Sequence, residues 1–215
     1  MNPARRSPRW ASVLAPHVSI VRYYRYSVVR RTTLACASVR ECHLSLWQIA
    51  LTAVAEGSGQ LVLREIEDRD LGVLFEHWTD PDAIRMAAFT SPDQNDRTAF
   101  ERRWARLRSD VSTTNRVVEI DGRVVGHIAS FDLEGHREVT YWIGREDWGR
   151  GIATRALQEF LQLEASRPLY AGAASDNAAS IRVLTKCGFL IVGEGRGFAH
   201  GRNEETDEVV LRLDA

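Results

Sequence analysis

Hydrophobic and polar positions follow regular patterns from residue 60 onwards, and these patterns predict the secondary structure. The segment 61–67 is typical of a strand. Amphipathic helices are predicted over 68–78, with Asp68 near the cap, and over 96–108, because their apolar residues recur at helical spacing. We predict later strands over 116–120, 123–131, 137–144, 168–173, 189–195 and 206–214, and later helices over 150–165 and 177–187.

The clearest local signal is the pair Asp121-Gly122, which joins two β-rich segments and is typical of a type I′ hairpin turn. The predicted elements follow the order β-α-α-β-β-β-α-β-α-β-β. Several strands follow one another without a helix between them, so this order does not fit a run of βαβ units. It predicts a mixed α/β (α+β) layer structure.

The first 58 residues differ from the rest of the chain, and we place a domain boundary between 1–58 and 59–215, within the small polar segment 55–60. Residues 1–45 contain eight arginines and one acidic residue, Glu41. An arginine-rich, acid-poor N-terminus resembles a targeting peptide, but no clean cleavage site follows it. We therefore predict a weakly ordered basic extension followed by one folded domain.

Charge and cysteine content narrow the class of protein. The net charge of the whole chain is -1, so the residues after the basic extension are acidic as a group. An acidic body argues against a nucleic-acid-binding surface and suits a cationic substrate such as an amine. The three cysteines form no C-x-x-C pair, so we expect a cytoplasmic protein without a disulfide scaffold or a bound metal. The longest apolar stretch, 44–55, is too short for a membrane-spanning helix, and no membrane partner is expected.

A candidate ligand site lies where the strand 137–144 meets the next helix, in the sequence "WGRGIAT" (148–154). Glycines let the backbone approach a ligand closely, and free N–H groups at a helix start favour an anion such as a phosphate. A P-loop is excluded because its G-x-x-x-x-G-K-[ST] pattern is absent, and a dinucleotide site is disfavoured because the third glycine is missing. The diphosphate of coenzyme A and a merely tight turn are left as alternatives.

A second motif, "DNAASIRVLTKCGF" (176–189), favours coenzyme A. The two stretches together resemble the Q/R-x-x-G-x-G/A and N-x-x-[SA]-x-x-x-(L/Y)-x-K-x-G-F motifs of the GNAT superfamily of N-acyltransferases, with Trp148 at the Q/R position. They are most similar to the branch that contains the RimJ/RimL-type ribosomal-protein N-terminal acetyltransferases. The resemblance covers about residues 61–215. The positions of the second motif that match are Asn177, Ser180, Lys186, Gly188 and Phe189.

The resemblance implies a GNAT fold, in which a mixed, mostly antiparallel sheet of six to seven strands is flanked by about four helices. It also implies that acetyl-CoA is the co-substrate. The pantetheine arm would pair with a strand that splays from its neighbour, and the glycine turn would wrap the diphosphate. The residues assigned in this way to cofactor binding are Tyr141, Trp142, Ile143, Gly149, Arg150, Gly151, Ile152, Ala153, Thr154 and Asn177.

The implied chemistry needs a base for the amine and a proton donor for the leaving thiolate, since amines with a pKa of about 8 to 10 are mostly protonated at neutral pH. Many family members donate that proton from a tyrosine at the position of Leu184. The resemblance to RimL-like members makes Ser180 the substitute, although a serine there also suits the start of a helix. Glu138 is the candidate base and His127 the alternative, and a solvated or structural role is open for both.

Strand alternation puts Glu138 and Trp142 on one face of their strand and Tyr141 and Ile143 on the other, and it leaves open which face meets the acceptor. Cys187 lies near the end of an amphipathic helix. We expect it to be a small buried hydrophobe, not a nucleophile.

The sequence thus predicts an acetyl-CoA-dependent N-acetyltransferase in which a primary amine, on a protein N-terminus or a small molecule, attacks directly. A protein acceptor predicts an open groove, whereas a small amine predicts a closed, acidic pocket. The alternative is a non-catalytic acyl-CoA-binding sensor or scaffold, supported by the missing tyrosine. No nucleic-acid partner is expected unless the basic extension is ordered, and a homodimer is left open.

Overall fold

The computed structural model describes residues 59–215, so the predicted basic extension lies outside the described residues. This part of the chain forms a seven-stranded sheet with helices on both faces. The strands are β1 (Leu61–Arg64), β2 (Thr114–Ile120), β3 (Arg123–Leu133), β4 (His136–Ile143), β5 (Leu169–Ala174), β6 (Leu190–Ala199) and β7 (Glu204–Leu213). The helices are α1 (Leu71–Thr79), α2 (Pro81–Ala87), α3 (Arg97–Ser109), α4 (Ile152–Leu163) and α5 (Ala178–Lys186).

The strands lie in the order β1-β2-β3-β4-β5-β7-β6, and every neighbouring pair is antiparallel except β4 and β5. The predicted fold class is therefore confirmed, with five helices instead of about four. The additional helix is α2, which has seven residues and is too short to show a helical period in the sequence. Asp80 caps it by accepting a hydrogen bond from the N–H of Ala83, and Pro81 occupies its first turn.

Two tight hairpins connect β2 to β3 and β3 to β4. Asp121 and Gly122 have φ values of 50° and 80°, which agrees with the predicted type I′ turn. Glu134 and Gly135 have φ values of 49° and 87° and form a similar turn that the sequence analysis did not predict. A glutamate rarely adopts positive φ, so this second turn carries a weaker signal in the sequence.

The helix predicted over 68–78 begins at Leu71 instead, after a short 3₁₀ turn at Asp68–Asp70. Asp68 is not its cap. The Asp70 carboxylate accepts a hydrogen bond from the N–H of Glu67 at 2.8 Å and binds Arg64 at 2.7 Å, so it organises the start of this segment.

Each face of the sheet has its own hydrophobic core. Val139 and Ile143 of β4 pack with residues of α4 and α5 on one face. Trp142 packs with residues of α1 and α3 on the other, which we call the α1–α3 face. This confirms the predicted alternation along β4 and places Glu138 on the α1–α3 face.

The sheet opens between β4 and β5. These strands are paired only at Arg137–Leu169 and Glu138–Tyr170, although β4 continues to Ile143 and β5 to Ala174. Beyond Glu138 a gap separates the two strands.

Candidate active site

One edge of β4 faces this gap. The N–H of Gly144 donates to the carbonyl of Val125 on β3 at 2.8 Å. Because the hydrogen-bonding direction alternates along a strand in an antiparallel ladder, the backbone groups of Tyr141 and Ile143 point away from β3 and into the gap. An edge of this kind can pair with an extended ligand as with an added strand.

The turn after β4 contains both glycines of the first motif in the left-handed conformation, with φ values of 74° at Gly149 and 73° at Gly151. Gly151 is the N-cap residue of α4. A methyl group added to either glycine would meet no atom within 4 Å, so the space above the turn is open. The N–H groups in the first turn of α4 and the helix dipole favour an anion there.

A buried carboxylate braces this turn. Asp147 is 1% exposed and binds Arg123 through both oxygens at 2.7 and 2.9 Å. It also binds Arg150 at 2.5 Å. Burial would raise the pKa of Asp147, but the hydrogen bonds and charges of the two arginines outweigh it and lower that pKa. The turn is therefore held in shape by ion pairs before any ligand arrives.

A cavity of about 350 Å³ joins the gap to the turn. Met86 and Ala87, at the end of α2, also line it, so the cavity extends towards the α1–α3 face. Of the predicted site residues, Arg150, Glu138 and the alternative base His127 are outside its lining. Those that line it are Tyr141, Trp142, Ile143, Gly149, Gly151, Ile152, Ala153, Thr154, Asn177 and Ser180.

Two hydroxyl groups meet in this cavity. The Tyr141 hydroxyl lies 2.8 Å from Ser180 Oγ, in a hydrogen bond that either group can donate. Ser180 is placed by Asn177, whose Oδ1 accepts from the Ser180 N–H at 3.0 Å and whose Nδ2 donates to the carbonyl of Met86 at 3.2 Å. Burial raises the pKa of Tyr141 to about 12, so its hydroxyl keeps its proton at physiological pH.

Glu138 lies where β4 and β5 part and is 2% exposed. Its Oε2 has no hydrogen-bond partner among the described residues. Burial raises the pKa of Glu138 to about 8, with further contributions from the charges of Glu208 and Glu134. A carboxyl with such a pKa is a stronger base than an exposed glutamate, and its proton-accepting form appears as pH rises towards 8.

Comparison with known proteins identifies the family. The profile of the family described as "Acetyltransferase (GNAT) domain" matches residues 60–190. The chain belongs to the GNAT acetyltransferase family. It is therefore an acyltransferase, and this family uses acetyl-CoA as co-substrate to acetylate amines.

Individual relatives agree with this family. The chain is 27% identical over 172 residues to an uncharacterized N-acetyltransferase p20 of Bacillus licheniformis, covering 72% of this chain and 92% of the relative. Its fold is similar to that of Mycobacterium smegmatis RimJ in complex with CoA-disulfide, with a TM-score of 0.62, 21% identity, and coverage of 73% and 83% of the two chains. A spermidine N-acetyltransferase from Vibrio cholerae, in complex with CoA and spermine, matches with a TM-score of 0.60, 20% identity, and coverage of 71% and 95%. At these identities, the likeness to the solved structures is one of fold.

The GNAT family's co-substrate fits the residues present. The open glycine turn can receive its diphosphate, and the backbone groups of Tyr141 and the N–H of Ile143, which face the gap, can receive an extended amide chain. Trp148, at the Q/R position of the first motif, occupies one group of this edge, since its indole N–H donates to the carbonyl of Ile143 at 2.8 Å. Two other residues predicted to bind the co-substrate use their side chains in contacts within the protein. The indole of Trp142 bonds the carbonyl of His77 in the opposite core, and Arg150 is tied to Asp147.

Three other residues discussed as possible catalytic groups lie in packed parts of the structure. His127 stacks edge-to-face on Trp104, with ring centroids 5.1 Å apart, within the aromatic layer of the α1–α3 face. Leu184 is buried in the core on the other face. Cys187 lies 3.8 Å from the carbonyl of Thr154, and burial raises the pKa of its thiol, which agrees with the predicted unreactive role.

A larger cleft of about 820 Å³ lies beside α1 and the β2–β3 hairpin. Its arginines already have carboxylate partners in the protein, so it offers few free cations to a ligand. These pairs are Arg64–Asp70, Arg69–Glu67, Arg123–Asp147 and Arg145–Asp80. The smaller cavity at the strand gap is therefore the better candidate for the active site.

Two features of this site were not predicted from the sequence: the brace at Asp147 and the contact between the Tyr141 hydroxyl and Ser180. Residues 59–215 contain no helix long and apolar enough to cross a membrane. Within the same range, no group of three or more histidine, cysteine or acidic side chains is placed to hold a metal ion.

The two buried carboxyls predict a dependence of stability on pH. The pKa of Glu138 and that of Glu208 are both raised from 4.5 to about 8, mainly by burial. Between these pH values the folded protein holds protons that the unfolded chain has released, so the free energy of unfolding falls as pH rises through this window. Urea unfolding from pH 5 to 9 measures this slope. Glu208→Gln should make it shallower, and an unchanged slope would contradict the raised pKa of Glu208.

Proposed function

We propose that the protein transfers an acetyl group from acetyl-CoA to the amine of a small cationic acceptor by direct attack. The observation that carries the proposal is the buried carboxyl of Glu138 at the point where the strand gap begins. Glu138 is the β4 residue at which pairing with β5 ends, it is 2% exposed, and an acidic group there suits a cationic amine. The likeness to RimJ does not favour a protein acceptor, because it extends only to the fold.

The chain's own residues supply the two proton transfers. The acetyl thioester supplies the acyl group when bound. Glu138 accepts the proton of the incoming ammonium group, since its carboxyl has a pKa closer to that of an amine than an exposed glutamate has. On the other side of the gap, the Tyr141 hydroxyl lies 2.8 Å from Ser180 Oγ and 3.3 Å from the Ser180 carbonyl oxygen. With Tyr141 as the donor to Ser180 Oγ, the Ser180 hydroxyl hydrogen is free to stabilise the leaving sulfur.

The remaining residues hold and orient the co-substrate. The N–H groups at the start of α4 bind its diphosphate, and the open edge at Tyr141 and Ile143 binds its pantetheine arm. Asn177 contributes indirectly, because it caps α5 and thereby places Ser180. Arg150 acts mainly through Asp147, as part of the brace under the turn.

Acetyl-CoA binding and turnover test the proposal separately. Saturating acetyl-CoA should raise the melting temperature, because a ligand that binds only the folded state stabilises it. Thiol release should then appear with small amines and not with N-terminal peptides. An absent shift would refute the co-substrate, and release only with peptides would refute the small acceptor. A shift without release on any amine would support the sensor alternative.

Removing the hydroxyl groups of Ser180 and Tyr141 tests which of them donates a hydrogen bond to the leaving sulfur. Ser180→Ala should lower kcat by about 10²-fold, because the donor nearest the leaving sulfur is lost. Tyr141→Phe should cause a smaller loss, since the Ser180 hydroxyl is retained. Stabilisation by acetyl-CoA should persist in both variants. Ser180→Thr, which keeps the hydroxyl, is the matched control, and unchanged kcat in Ser180→Ala would exclude Ser180 as the donor.

A further inference from the structure

The end of α2 forms one wall of the candidate active site, since Met86 and Ala87 line the cavity at the strand gap. With only seven residues, α2 is too short to be stable as an isolated helix, so its position depends on contacts with the rest of the domain. The last carbonyl groups of a helix lack partners within the helix. The groups that bind these carbonyls therefore show what holds α2 in place.

Two side chains from distant parts of the chain bind the carbonyls at the end of α2. Arg202, in the turn between β6 and β7, donates from Nε to the carbonyl of Arg85 at 2.8 Å. Asn177, the N-cap residue of α5, donates to the carbonyl of Met86 at 3.2 Å. The helix α2 thus ends against both the β6–β7 turn and the start of α5.

Arg202 also binds the segment before α5 directly. Its two terminal nitrogens lie 2.8 and 2.9 Å from the two carboxylate oxygens of Asp176, which makes a bidentate ion pair. The Arg202 side chain is 11% exposed, and its hydrogen bonds lower the pKa of Asp176. Because Nε of the same guanidinium binds α2, one planar and rigid group is bonded to both α2 and the segment before α5.

The backbone of the β6–β7 turn makes a further contact with α2. The N–H of Gly201 donates to the carbonyl of Ala88 at 2.8 Å. A methyl group added to Gly201 would lie 2.5 Å from the carbonyl oxygen of Ile84, so the turn packs against α2 without room for a side chain. Ala88 is completely buried and has a φ of 63° and a ψ of -63°, which is a costly conformation for a residue other than glycine. The surrounding contacts must therefore hold this end of α2 firmly.

The link through Arg202 leads to the proposed hydrogen-bond donor. Asp176 directly precedes Asn177, and Asn177 Oδ1 accepts a hydrogen bond from the N–H of Ser180 at 3.0 Å. Ser180 and Met86 both line the cavity. We propose that Arg202 is a positioning residue for acetyl transfer, which fixes the distance between the α2 wall of the cavity and Ser180 on α5. This inference rests on the proposed function, in which Ser180 donates to the leaving sulfur.

Removal of the Arg202 guanidinium should slow turnover without preventing the binding of acetyl-CoA. Arg202→Ala should lower kcat for n-butylamine about 10-fold or more, because a small displacement of a group that acts on the reacting atoms is costly. The thermal shift with acetyl-CoA should persist, since Asp147 braces the diphosphate turn separately. Arg202→Lys should restore little, because an ammonium group cannot reproduce the fork of the guanidinium. Arg196→Ala, which removes an exposed arginine of β6, is the matched control and should leave kcat unchanged.

The double variant Ser180→Ala/Arg202→Ala separates positioning of Ser180 from a general loss of structure. If Arg202 acts through Ser180, its replacement should have little further effect on kcat once the Ser180 hydroxyl is removed, because the two effects are then not additive. The same fold loss in both backgrounds, or unchanged kcat in Arg202→Ala, would overturn the inference. Unchanged kcat in Ser180→Ala alone would instead refute the donor assignment of the proposed function.

A distance measurement tests the positioning itself and needs no turnover. Nitroxide labels at Asp82→Cys on α2 and Thr185→Cys on α5, both exposed positions, report the separation of the two helices when the native cysteines are replaced by serine. Electron spin resonance should give one narrow distance distribution with Arg202 in place. Arg202→Ala should broaden this distribution, and Arg196→Ala should not. An unchanged distribution in Arg202→Ala would overturn the inference, whether or not an amine is acetylated.

Discussion

Replacement of Gly151 by aspartate is expected to abolish binding of acetyl-CoA. Gly151 has a φ of 73° and caps α4 directly below the open space of the turn. An aspartate would place a carboxylate among the N–H groups that receive the diphosphate, and like charges repel strongly at such short range. We expect at least a 100-fold loss of affinity, measured as loss of the thermal shift with acetyl-CoA and by calorimetric titration.

Gly151→Asn is the matched control for this substitution. Asparagine has nearly the shape of aspartate, carries no charge and tolerates the left-handed conformation better than most residues. It should therefore retain much of the acetyl-CoA shift while sharing the steric effect of the aspartate. If the aspartate and asparagine variants bind acetyl-CoA equally well, the turn does not bind the diphosphate and the assignment of the co-substrate site fails.

Replacement of Glu138 by glutamine should reduce kcat by about 10²- to 10³-fold, because a positioned base is lost while the shape of the side chain is kept. The same proton transfer gives the wild type a pH dependence. The pKa of Glu138 is raised to about 8, so the carboxylate needed for proton acceptance forms as pH rises through that value. Activity of the wild type should increase as pH rises through about 8. The residual activity of Glu138→Gln should not show this increase.

Glu138→Asp distinguishes loss of the base from loss of packing. It keeps a carboxylate on a shorter side chain and should restore part of the activity, together with the rising limb of the pH profile. The thermal shift with acetyl-CoA should be the same in the wild type and in both variants, since Glu138 is outside the lining of the co-substrate cavity. Full activity in Glu138→Gln would remove Glu138 from the mechanism.

The features that could be predicted from the sequence are those encoded within one short segment. The hairpin at Asp121-Gly122 and the glycine turn at 149–151 depend on local conformational preferences, and each has the positive φ values that those residues favour. Alternation along β4 correctly separated Trp142 from Ile143, because a strand has a fixed period of two.

The features that were missed depend on residues far apart in the chain. Tyr141 and Ser180 are 39 residues apart, and only the packing of α5 beside the strand gap brings their hydroxyls together. Glu208 lies in an alternating strand, where a charged residue usually faces solvent. At Glu208, however, both faces of the sheet are buried. The sequence of β7 alone does not indicate that other parts of the chain cover the second face. Asp147, in the turn after β4, likewise acquires its role from Arg123 on β3.

The gap between β4 and β5 also bears on aggregation. A strand edge with free backbone groups is a template on which other chains can assemble, and proteins usually protect such edges by charge, twist or covering. The edge at Tyr141 and Ile143 lies inside the sheet, with β5 on its far side and the start of α5 beside it. The Ile143 carbonyl is also occupied by the indole N–H of Trp148. The molecule thus keeps an edge that can pair with a ligand away from the outer strands of the sheet, where another chain could add.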